Sequence, residues 1–130
     1  MALKRTGFDL QEKQTAIYSF SLIDENGAAV SPASLPGATL TLYSLDSSTK
    51  PIINNRNAQN CLNQNDVTIS AAGVVTWTIQ VADVSILDNS LQKETHRALF
   101  LFTWNAGSPA TPRSKPHEVD LVIRNLHRLT

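Results

Sequence analysis

Residues 95–104, THRALFLFTW, and residues 117–126, HEVDLVIRNL, decide the fold. Each run has strand composition and apolar side chains at alternate positions, and the segment between them contains Gly107, Pro109, Pro112 and Pro116. Two such runs joined by a turn-forming segment read as an antiparallel hairpin. With Trp104 set opposite His117, Phe102 falls beside Val119, Phe100 beside Leu121 and Ala98 beside Ile123, which makes one face a continuous cross-strand core. The opposite face carries Arg97, Leu99, Leu101, Thr103, Glu118, Asp120, Val122 and Arg124. Leu99, Leu101 and Val122 make that face more apolar than a fully solvated sheet. Together with Arg97, Asp120 and Arg124 they form a candidate partner face.

The rest of the chain repeats the strand pattern. Thr15 to Ile23 alternates, with Ala16, Tyr18, Phe20 and Leu22 on one side, and ends at the turn-forming Asp24-Glu25-Asn26-Gly27. Pro32 and Pro36 interrupt regular structure, after which Ala38 to Leu45 resumes with Leu40 and Leu42 directed inward. Asp66 to Ser70 and Gly73 to Gln80 form a second hairpin, with Val67, Ile69, Val75, Trp77 and Ile79 inward. Val84, Ile86 and Leu87 fit a single helical turn, with Asp83 as its expected N-cap. The count is about seven short strands at the spacing of an immunoglobulin-like β-sandwich, an all-β fold with one helical turn. The expected core is Tyr18, Phe20, Leu40, Leu42, Val75, Trp77, Ile79, Phe100, Phe102, Trp104, Leu121 and Ile123. Residues 1–14 are polar and poorly periodic, and read as an arm that is flexible or bound to a partner. Residues 15–130 read as one domain.

Asn54 to Asn65 has six asparagines among twelve residues, a composition that favours turns and left-handed backbone. Cys61 and Leu62 are expected to pin this loop to the sandwich. The alternative is a recognition loop using Asn54, Asn55, Arg56, Asn57 and Asn60.

Composition excludes several function classes. Eleven basic residues balance eleven acidic ones, whereas backbone binding of nucleic acid needs a surplus of Lys and Arg. The basic residues near the ends and one loop, Lys4, Arg5, Arg113, Lys115, Arg124 and Arg128, read as solvation. No apolar run approaches a membrane span, and the first residues lack the apolar stretch of a secretory signal, so the chain is expected to stay in the cytoplasm where it is made. The single cysteine forms neither an internal disulfide nor a cysteine-based metal site. His96, His117 and His127 lack metal-ligand spacing, no Gly-x-Ser-x-Gly elbow is present, and the five glycines are isolated turn residues. Glu118 and Asp120 share a strand face with Arg97 and Arg124, which favours ion pairing over a paired-carboxylate site. No catalytic residue, cofactor or metal is assigned. Trp77 and Trp104 alternate in phase with aliphatic neighbours, so core packing is preferred over a sugar-stacking platform.

The order GATLTLYSL (37–45), INNRNAQNCLN (53–63), AAGVVTWTIQ (71–80), ADVSILD (82–88), HRALFLFTWN (96–105) and HEVDLVIRNL (117–126) resembles small immunoglobulin-like structural proteins of tailed bacteriophages. The resemblance covers about residues 15 to 126 and includes no catalytic motif. It implies a non-enzymatic virion component that decorates and stabilises the capsid. Its expected partners are the major capsid protein, connector or tail proteins, and copies of itself. The alternatives are a neck, tail or baseplate component and, from another class, a carbohydrate- or receptor-binding module.

Overall fold

The computed structural model describes residues 5–24, 27–30, 37–88, 90–106 and 111–125. Among these residues eight strands follow one another: β1 (Arg5–Gln11), β2 (Ala16–Ser21), β3 (Gly37–Ser44), β4 (Gln59–Asn60), β5 (Val67–Ile69), β6 (Val74–Ile79), β7 (Lys93–Ala106) and β8 (Thr111–Arg124). A 3-10 turn at Val81–Val84 crosses between β6 and β7. One sheet has the order β1-β8-β7-β3-β4 and the other β2-β6-β5. The chain is thus an all-β sandwich whose strands switch between sheets in the immunoglobulin-like manner.

Alternation builds the core. In β3 and β6 every second side chain is buried, and Leu40, Leu42, Val75, Trp77, Ile79, Phe100, Phe102, Leu121 and Ile123 are inaccessible to solvent. Trp104 is 6% exposed, so both tryptophans are core residues. Tyr18 and Phe20 pack against the same cluster from β2. Phe20 meets Phe100 edge-on at 5.2 Å between ring centroids, and Trp77 meets Phe100 likewise at 5.7 Å.

The central hairpin differs in register from the sequence reading. Phe100 lies opposite His117, Ala98 opposite Val119 and His96 opposite Leu121, while Phe102 faces Lys115 and Trp104 faces Arg113. The slip is an even number of residues, so each side chain keeps its expected face. The cause lies in β8, which continues through Pro116 and Pro112 to Thr111. The Arg124 carbonyl accepts from Glu12 N–H on the β1 side. Pro112 and Pro116 share the parity of Arg124, so their missing N–H groups also belong to that side. There, among the described residues, β1 pairs only from Glu118 onward, and prolines are tolerated where no ladder partner needs their N–H. His117 accordingly does not face Trp104. It stacks on Phe20 at 3.8 Å and meets the Tyr18 hydroxyl at 2.7 Å.

Residues 5–11, assigned from sequence to an arm, form β1 and run parallel to β8, from Arg5 beside Glu118 to Gln11 beside Arg124. Leu10 is buried in the core. This strand raises the count from about seven to eight. The helical turn also starts earlier than expected. Gln80 is the N-cap, and Asp83 stands in the first turn with its carboxylate accepting Gln80 N–H at 2.8 Å.

Candidate functional site

The outer face of the five-stranded sheet is laid out in rows across β8, β7 and β3. Pro116 neighbours Leu101 and then Thr39; Glu118 neighbours Leu99 and then Thr41; Asp120 neighbours Arg97 and then Tyr43. Val122 lies one row further, beside Thr95. Leu101 is 40% exposed, whereas Leu99 and Val122 are half-buried. Arg97 donates from Nε to Asp120 Oδ1 at 2.8 Å and from Nη2 to Asp120 Oδ2 at 3.1 Å, with Glu118 3.5 Å away. This fork geometry is the favourable one for a guanidinium and a carboxylate. Hydrogen bonding to Asp120 holds the Arg97 pKa above its ordinary value despite some opposing desolvation. The six residues expected on the partner face do share it, but the ion pair separates Val122 from the Leu99 and Leu101 patch. Arg124 lies at the far end of this face and is exposed.

The Asn-rich segment uses left-handed backbone at Asn54, Asn55, Ala58, Asn63 and Asn65. Cys61 is fully buried and Leu62 packs on the core, as expected of a pinned loop. Burial raises the Cys61 thiol to about 12, against a smaller lowering by Arg56, so the thiol remains protonated at neutral pH. Asn54, Asn55, Asn57 and Asn60 are exposed. Arg56, expected at the recognition surface, instead turns inward and is 1% exposed.

Arg56 anchors the loop. Its Nε and Nη2 reach the two Asp83 oxygens at 2.6 and 3.0 Å, Nη2 also reaches Asp66 at 2.8 Å, and Nη1 donates to Gln59 and to the Asn65 carbonyl. All five guanidinium N–H groups have acceptors. The guanidinium carbon stands 5.8 Å from the centre of the Trp77 ring. Burial alone would depress the Arg56 pKa, but the hydrogen bonds it donates to Asp83 and Asp66, together with their charges, outweigh it and the net shift is upward. Asp83 completes its own set by accepting from Asn54 and Gln80.

The polar chain continues through His96. Its Nδ1 is 3.0 Å from the Asp83 carbonyl, which only accepts, so Nδ1 carries the proton. Nε2 is hydrogen-bonded to Glu94, whose carboxylate also accepts Leu87 and Asp88 N–H. His96 and Glu94 are both buried. An open hollow of about 270 Å3 lies beside this pair, lined by Ser44, Asp46, Ser47, Pro51, Leu87, Asp88 and Glu94. Its acids already serve the fold: Asp46 accepts Thr95 N–H at 2.6 Å and Asp88 accepts from Ser90. Among the described residues no group of three or more His, Cys, Asp or Glu side chains is arranged to hold a metal ion. No helix among them is long and apolar enough to cross a membrane.

Sequence reasoning missed both buried networks. Glu94 and His96 stand in the same alternation phase as Ala98 and Phe100, a sign that polar groups point into the core. Arg56 had no comparable signal, because the segment around it has no period.

No family model and no curated protein matches the chain.

Proposed function

We propose that this chain is a non-enzymatic structural subunit of a tailed-bacteriophage particle, decorating and stabilising its capsid. The observation that carries the reading is the outer face of the five-stranded sheet. There Leu101, 40% exposed, lies beside Leu99 and Pro116, flanked by an Arg97–Asp120 pair that already satisfies its own charges. Covering the leucines with a neighbouring protein removes apolar area worth ~25 cal/mol per Å2. The sequence resemblance supplies the setting. The buried polar networks are compatible with the same reading, since they tie the loops at one end of the sandwich to its core.

The test is quantitative mass spectrometry of purified particles, with heads and tails separated and the major capsid protein as reference. Copies comparable in number to the capsid subunits, travelling with heads, are expected. A few copies per particle would place the chain at the neck, tail or baseplate instead, and absence from particles would overturn the virion reading.

A further inference from the structure

The four outermost strands of the two sheets are not protected alike. β4 has two residues and β5 has three, too short to template another strand. β1 includes Arg5 and Asp9, charges of the kind that discourage edge-to-edge association. β2, AIYSFS, has six residues with no charge and no proline. Among the described residues its only strand partner is β6.

Register shows which groups of β2 are open. Ala16 lies opposite Ile79 and Tyr18 opposite Trp77, and in the same register Leu22 N–H donates to the Gly73 carbonyl at 2.8 Å. The even-numbered residues therefore direct their backbone groups to β6, and the odd-numbered ones direct theirs away. Ile17, Ser19 and Ser21 thus present three N–H and three C=O groups at an edge that no other described strand covers. Ile17 is 66% exposed, more than any other large hydrophobic residue described.

We infer that β2 is a self-association edge, pairing antiparallel with β2 of a second copy about a two-fold axis at Ser19. This register sets Ser19 against Ser19 and Ile17 against Ser21, so all three open N–H groups and all three open carbonyls of each chain find partners. Any charge on this edge would meet its own like near the axis, and the strand has none. On the inner side, Tyr18 falls opposite Phe20 of the second copy, an aromatic cross-strand pair between residues that are only half-buried in one chain. The result is a continuous six-stranded sheet, β5-β6-β2-β2-β6-β5. An extended segment of an unrelated protein would satisfy the backbone groups but not necessarily this side-chain register. The surface is separate from the outer face of the five-stranded sheet and does not depend on the particle reading.

The test is sedimentation velocity of the full chain from low micromolar to several hundred micromolar, with hydrogen exchange read at individual amides. A reversible dimer is expected, with Ile17, Ser19 and Ser21 N–H protected at high concentration and exchanging quickly on dilution. Ser19→Pro removes a donor that the β6 ladder does not use, and should weaken the dimer about ten- to a hundredfold. Ser19→Lys places two like charges at the axis without touching the backbone, and should weaken the dimer with partial recovery in high salt. It serves as the second variant if Ser19→Pro fails to fold. A monomer at every concentration overturns the inference, whether or not another protein is later found to add a strand there. So does a dimer unchanged by Ser19→Lys, or one that leaves the three amides unprotected.

Discussion

A buried arginine is stabilising only while every one of its donors is met, and Arg56 satisfies that condition through Asp83, Asp66, Gln59 and the Asn65 carbonyl. Removing it leaves the Asp83 carboxylate, which has no solvent exposure, without its counter-charge. Breaking a buried pair in this way costs about 3 to 5 kcal/mol, mostly as the desolvation of the charge left behind. Arg56→Ala should therefore lower the unfolding free energy by that amount in urea titration, and adding Asp83→Asn should cost less than the sum of the two single changes. A loss below ~1 kcal/mol for Arg56→Ala would mean that the guanidinium is not enclosed. Cys61, beside it, is a buried and inert neighbour by comparison, its thiol held in the protonated form.

The β7–β8 hairpin carries the core, and Phe100 is its centre, in contact with Phe20, Trp77 and Phe102 rings. Phe100→Ala should cost about 3 to 5 kcal/mol in chemical denaturation, as a cavity that these neighbours cannot fill. A cost under ~1 kcal/mol would mean that Phe100 lies on the solvent face. Which side chains face inward was legible in the sequence because alternation fixes the face even when register is wrong. The register itself was not legible. Pro112 and Pro116 carry the usual signature of a loop, and only the position of β1 makes that stretch of β8 an edge where proline is allowed. β1 was missed because RTGFDLQ has a single strongly aliphatic position, Leu10, among its last residues, too little to register as a period. That Arg97, Leu99, Leu101, Asp120, Val122 and Arg124 share one sheet face was legible from alternation alone. The Arg56 network was not, since it depends on a loop returning to a turn that lies 27 residues further along the chain.

At the scale of the whole molecule the two sheets present different outer surfaces. The five-stranded sheet shows leucines beside a closed ion pair, and the three-stranded sheet shows uncharged Ser and Thr beside Ile17, with Ser19 and Thr76 hydroxyls 3.2 Å apart. Leu101→Asp tests the first of these. Leu101 is already 40% exposed, so the change should alter monomer stability by no more than about 0.5 kcal/mol while reducing incorporation into particles. Unimpaired incorporation would remove the leucine patch as a contact. Finally, among the described residues β1 pairs only with β8, about a hundred residues later in the chain. A ribosome adds roughly 5 to 20 residues per second. During synthesis the first strand therefore waits some 5 to 20 seconds with its backbone unpaired and Leu10 exposed, before the sheet that receives it has been made. Nascent chains of this protein should be most dependent on chaperones in that interval, and the emergence of β8 is what joins the start of the fold to its central hairpin.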